Sequence, residues 1–268
     1  MQNIAKMLLQ PAVLTKICSR LRVILKRVQY YGFSYKCPFC SAHLKMFLPF
    51  GRHFPVLKEK NVIGGGYRQN MLCPICGSMD RERLLYLYLR YKTNIFKQPV
   101  KLLYVAPESN IETILCKKAN IDYLTVDLNS ENVMEKIDIT NIHYNDNSFD
   151  AIICNHVLEH ITDDRKAMSE LYRIVKPRGW AILQVPMSTS LESTYEDSSI
   201  ITPLERERAF GQADHVRIYA RDYKQRLEQV GFAVDIFEWS VNNHCFGGQK
   251  NKFGLIEDES VYCARKPI

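Results

Sequence analysis

Two Cys-x-x-Cys pairs, Cys37-Pro-Phe-Cys40 and Cys73-Pro-Ile-Cys76-Gly77, are the residues of this chain whose spacing most directly implies chemistry. Two thiolates three residues apart can grip one metal ion from a tight turn, and a glycine after the pair tolerates an unusual backbone angle. Two such turns complete a closed tetrahedral shell. The expected occupant of Cys37, Cys40, Cys73 and Cys76 is therefore a structural Zn2+, although iron would satisfy the same donors. A redox dithiol competes, and the presence of two similar pairs favours metal. His43 and His53 lie in the same stretch and read as surface residues. Cys18, Cys116, Cys154, Cys245 and Cys263 stand alone, several in apolar segments where a small buried thiol is the ordinary reading. An odd total of nine cysteines with no secretory signal argues against a disulfide framework.

A second group of candidates needs a scaffold. Asp127, Asn155 and His156 each stand at the end of an apolar run, with Asp138, Glu159, His160 and His215 further along the chain. The runs Lys101–Ala106, Tyr123–Leu128, Phe149–Cys154 and Trp180–Val185 read as strands, with helices near 111–118 and 163–175 between them. Strands separated by helices imply a mostly parallel sheet covered on both faces. A further helix (221–230) and two strands (232–239 and 260–266) follow. The expected fold is α/β, a Rossmann-like doubly wound, mostly parallel seven-stranded sheet, with a small zinc-ribbon-like module and an N-terminal helix. In the module, the apolar segment 44–50 and the turn Gly64-Gly65-Gly66 suggest a β-ribbon. Ser78 or Asp80 is expected to cap the next helix. His156, Glu159 and His160 would share a helical face, as metal ligands must, but packing of His160 and a solvated or paired Glu159 are preferred.

The stretch from Asp138-Ile-Thr-Asn-Ile through Ser-Phe-Asp150-Ala-Ile-Ile-Cys-Asn155-His156-Val-Leu-Glu159-His160, continuing through Lys-Pro177-Arg-Gly179 to Pro186, resembles a class I S-adenosylmethionine (SAM)-dependent methyltransferase of the type 11 domain group. The resemblance covers about residues 80 to 268. It implies that Asp127, followed by Leu128, accepts hydrogen bonds from the ribose hydroxyls of SAM. It places Asp138 at the adenine amino group and Ile139 on the ring, with Asn155 and His156 facing the methionine or the methyl group. One departure stands out. The family's first motif is an acid followed by alternating glycines, whereas here it reads Leu103-Tyr104-Val105-Ala106-Pro107-Glu108, with Tyr104 in place of the acid and no glycine. The expectation is that Ala106 is small enough for close approach and that Glu108 binds the methionine ammonium. A degenerate domain that binds without methylating is the alternative.

Residues 187–219 form an insertion rich in polar and aromatic groups, where a substrate lid belongs. A Phe-Gly-Gln…Asp-His-Val-Arg pattern inside it recurs in the same group, and His215 is a candidate general base for a hydroxyl acceptor, with His156 the other catalytic candidate. The reading divides the chain into a basic amphipathic helix (1–35), the four-cysteine module (36–79) and the methyltransferase domain (80–268).

Net charge of +7 admits anionic partners without selecting one. Leu14, Ile17, Leu21, Ile24 and Val28 recur at helical spacing among Lys16, Arg20, Arg22, Lys26 and Arg27, so the N-terminal helix could meet an anionic membrane, a partner protein or its own catalytic domain. No apolar run approaches the roughly 20 residues of a bilayer crossing, and a cytoplasmic, optionally membrane-associated location is expected. The expected reaction is methyl transfer to an oxygen or nitrogen of a small molecule or glycan. Nucleic acid ranks lower, because the module lacks a dense basic-aromatic surface pattern.

Overall fold

The computed structural model describes residues 11–241 and 243–268, and the side chains of 11–17 and 19 are outside that description. Residues 1–10 of the proposed N-terminal segment, and the side chains of Leu14 and Ile17, therefore fall outside the description. Helix α1 (Pro11–Gln29) has no acid in its first turn and ends on Lys26 and Arg27, where cations complement the terminal carbonyls. Its described apolar positions are not covered: Leu21 is 53 % and Val28 74 % exposed. The end of α1 is hooked to the module, with the Lys45 N–H donating to the Tyr30 carbonyl at 2.9 Å and Arg27 donating to the Cys40 carbonyl.

The module opens with a hairpin, β1 (Tyr35–Lys36) and β2 (His43–Leu44), which carries the first cysteine pair in its turn. β3 (Leu48–Phe50) pairs antiparallel with β5 (Arg68–Leu72), giving the expected ribbon. The glycine run does not form its turn. Helix α2 (Pro55–Glu59) and β4 (Val62–Ile63) intervene, and β4 leaves the ribbon to pair with Met187–Ser188. Helix α3 (Asp80–Lys92) starts after Met79, whose N–H is taken by the Glu82 carboxylate at 2.7 Å. Neither Ser78 nor Asp80 caps it, because Asp80 is drawn to Arg68 in a two-bond ion pair of 2.8 and 3.0 Å.

The main sheet follows as β6 (Val100–Val105), α4 (Ser109–Leu115), β7 (Ile121–Asp127), β8 (Glu135–Lys136), β9 (Phe149–Cys154), α5 (Asp164–Ile174) and β10 (Val175–Ile182). The insertion expected to form a lid contains β11 (Met187–Ser188), β12 (Tyr195–Glu196), α6 (Pro203–Phe210) and β13 (Arg217–Ile218), followed by α7 (Tyr223–Gln229), β14 (Ala233–Glu238) and β15 (Ser260–Arg265). Sheet order is β14-β15-β10-β9-β6-β7-β8, with β15 antiparallel to both of its neighbours and the other pairings parallel. Alternation along β6 explains both cores: Leu103 and Val105 point into the cluster under α5 and α7, while Leu102 and Tyr104 point into the one under α3 and α4.

The module is bolted to this sheet. Arg83 of α3 is fully buried and spends all five N–H donors on carbonyls, those of Asn70, Met71 and Ser78 in the module and Phe253 and Gly254 near the C-terminus. Its guanidinium also lies 3.9 Å from the Phe47 ring centroid.

Candidate functional site

The chain leaves β6 toward β7 on one side, whereas β9 adjoins β6 on the other. The carboxyl ends of β6 and β9 therefore flank a topological switch point, where open α/β sheets bind ligands. Just past β6, Ala106 adopts φ +45°, the left-handed region that favours glycine. The backbone course of a glycine loop is kept with the smallest side chain available. The Tyr104 phenol reaches along the strand to hydrogen-bond Glu108 Oε2, and the Glu108 N–H donates to that phenol oxygen at 3.2 Å. Burial pushes the Glu108 carboxyl above its usual range, with the phenol bond pulling the other way.

Asp127 closes β7 and accepts the N–H groups of Asn129 and Ser130 on one oxygen, at 2.7 and 2.8 Å, which leaves the other for a ligand. Leu128 beside it is exposed. Asp138 accepts both the N–H and the hydroxyl of Thr140 at 2.8 Å. Ile139 beside it is 3 % exposed and packs in the core cluster under α5. Asn155, also buried, accepts the Gln184 N–H at 3.3 Å, and His156 follows at φ +54° with its N–H on the Gln184 carbonyl. A glycine-like loop after β6, a carboxylate with a free oxygen at the end of β7 and polar groups after β9 fit an amino acid–nucleoside cofactor.

Beside this edge lies a cavity of about 370 Å³, lined by Ile63 of the module, Gln184, Met187 of the lid, Arg221, Glu259 and Tyr262 among others. Two oxygens of its wall residues, Gln184 Oε1 and Glu259 Oε2, are buried without a hydrogen-bond partner. Burial and the nearby Asp80 push the Glu259 carboxyl up to about 7. Gly64 (φ +82°) separates this wall from the cofactor edge: a methyl group on it would lie 3.6 Å from His156 Cε1 and 3.7 Å from Glu259 Oε1. The glycine run thus reaches the junction between the two sites. Sequence reasoning passed over Gln184, Glu259 and Arg221. Glu259 ends the acidic run Glu257-Asp258-Glu259, which looks like solvated loop until the fold buries its last member.

His215 is not among the lining residues of that cavity. It is 4 % exposed, and its ring meets the His160 ring edge-on at 4.7 Å between centroids. Glu159, expected to be solvated or paired, is fully enclosed at 2 % exposure and lies 3.5 Å from His156 Nδ1. Burial lowers the pKa of both His156 and His215. The lid reaches this turn through Arg217, which donates to Glu196 and to the carbonyls of Leu158, Ile161 and Thr162.

The four module cysteines converge as expected. Cys37 and Cys76 sulfurs are 3.6 Å apart, those of Cys40 and Cys73 are 3.8 Å apart, and all four lie within 4.8 Å of one another. A tetrahedron with metal–sulfur bonds of about 2.3 Å has edges of about 3.8 Å, so the spacing fits one such ion. The buried Ser78 hydroxyl, 3.4 Å from Cys37 Sγ and 3.3 Å from Cys76 Sγ, supports both.

A family model described as a methyltransferase domain matches residues 80–235. No curated protein matches the chain. Among solved structures, the cyclase SpnF is 15 % identical, covering 72 % of this chain and 85 % of its own, with a TM-score of 0.48. A SAM-dependent methyltransferase from Mesorhizobium loti is 13 % identical over 66 % of this chain and 95 % of its own, with a TM-score of 0.45. A phosphoethanolamine N-methyltransferase from Haemonchus contortus, solved with S-adenosylhomocysteine, is 14 % identical over 70 % of this chain and 53 % of its own, with a TM-score of 0.47.

Proposed function

The chain belongs to the methyltransferase-domain family of SAM-dependent enzymes, and from that premise we propose that it methylates an oxygen or nitrogen of a small molecule or of a sugar residue held in the cavity beside Glu259. The supporting observation is a cavity of about 370 Å³ whose wall brings Gln184 and the Glu259 carboxyl, raised to about 7, beside the cofactor edge. That volume suits a small ligand.

Bound SAM supplies an electrophilic sulfonium methyl. Asp127 would hold the ribose hydroxyls, Glu108 the methionine ammonium, and Ala106 would let the backbone approach. Gln184 orients the acceptor, and Glu259, with its carboxyl near neutrality, takes the proton that the attacking oxygen or nitrogen releases. In this reading Glu259, which lines the cavity, is preferred as the base to His215, which does not. Positioning supplies most of the rate in such an in-line displacement. In the same reading, residues 36–79 are a zinc module whose glycine run closes the acceptor site, and the lid at 187–219 covers it.

The test is transfer of radiolabelled methyl from SAM into separated small-molecule, glycan and RNA fractions. Label in either of the first two is the expected result. Label confined to RNA would overturn the acceptor assignment.

A further inference from the structure

Two buried, unpartnered side-chain atoms meet the His160 imidazole where the lid docks on the turn after β9. Glu159 and His160 belong to the short 3-10 turn Leu158–His160, and His215 comes from the lid. The backbones are already joined there, the Val216 N–H donating to the Glu159 carbonyl at 2.9 Å. One ligand atom from each of Glu159, His160 and His215 lies within 4.8 Å of the others. Glu159 Oε2 and His215 Nε2 are both buried and both without a partner. Two such orphans side by side, one a carboxylate and one an imidazole, leave a large desolvation cost unbalanced.

The surrounding groups hold these side chains as outer partners hold metal ligands. His156 Nδ1 lies 3.5 Å from the other oxygen of Glu159, and Asp214 lies 3.2 Å from His160 Nδ1, which leaves His160 Nε2 as a lone-pair donor. Two imidazoles and one carboxylate are a donor set for Mn2+, Fe2+ or Zn2+, with coordination positions left for water.

We propose that Glu159, His160 and His215 bind one divalent transition-metal ion, which fastens the lid to the turn behind β9. This site is separate from the four thiolates and differs from them in donor chemistry. It is also independent of what the enzyme methylates.

The probe is Mn2+ added to the full-length protein with its cysteine site loaded, followed by electron paramagnetic resonance. Mn2+ prefers oxygen and nitrogen donors to thiolates. Wild-type protein should take up one equivalent, and hydrogen exchange across residues 211–219 should slow on binding. Glu159→Gln and His160→Gln should each weaken uptake at least tenfold and abolish the exchange effect. His160 is partly exposed, so its variant should fold even if a buried substitution does not. No uptake of Mn2+, Fe2+ or Zn2+ beyond the thiolate site, or uptake unchanged by both variants, would overturn the proposal.

Discussion

Asp127 and Glu108 carry the cofactor reading, and each fails differently when changed. A hydrogen bond to a charged group is worth roughly 1.5–3 kcal/mol, so Asp127→Ala should weaken SAM binding about ten- to a hundredfold by calorimetry. Glu108→Gln should weaken SAM and S-adenosylhomocysteine alike and spare adenosine, which has no methionine ammonium. Equal loss for all three ligands would mean a damaged fold instead. Glu108 adds a pH signature. Its carboxyl is raised by burial in the free protein, and an ammonium partner needs the ionised form. SAM affinity should therefore rise with pH through the region above the usual carboxylate range, and Glu108→Gln should flatten that rise. The places of Asp127 and Asn155 at strand ends, and the convergence of the four cysteines, were legible because spacing in the chain sets them. Tyr104 and Glu259 were not. A strand phenol that holds a residue four places on, and an acid buried by a distant β-strand, leave no periodic trace in the chain.

At the scale of elements, the strands and the two long helices of the sheet were readable from apolar spacing, and β8 was not, since two residues paired at a sheet edge carry no pattern. The lid was taken for loop although its helix announces itself: Thr202 and Glu205 cap reciprocally, Pro203 opens α6, and Gly211 closes it at φ +87°. The cysteine module, expected at residues 36–79, shares contacts with the rest of the chain: β4 pairs with β11 and the glycine run lies against His156. If the four thiolates hold zinc, elemental analysis should find one zinc per chain, and Cys73→Ser should remove it. Chelation should then lower the melting temperature of the whole chain in one transition, because structural zinc contributes to folding and the module shares its contacts with the sheet. Separate melting of residues 36–79 would count against that coupling. Arg83→Lys should destabilise by several kcal/mol, because an ammonium offers three donors where five buried carbonyls are served.

For the molecule as a whole, charge and apolar surface coincide on α1. The first thirty residues hold six Lys or Arg and no acid, and the described apolar positions of the helix are uncovered. Among the described residues no helix is long and apolar enough to cross a membrane, so the proposal is a helix lying on an anionic bilayer surface. Full-length protein should sediment with phosphatidylglycerol vesicles, less so in high salt, and deletion of residues 1–30 should abolish this while leaving SAM affinity intact. Vesicles that never carry down the full-length protein would sink the idea. Arg83, finally, bears on how the chain is made. Two of its five carbonyls, and the partner of the Lys36 N–H at 2.8 Å, come from residues 252–254. A ribosome delivers the cysteine module some 170 residues before those partners. The nascent module must wait with its arginine half-served while nearly the entire sheet is synthesised, so a growing chain stalled before residue 252 should stay open to proteases, however much metal it has already captured.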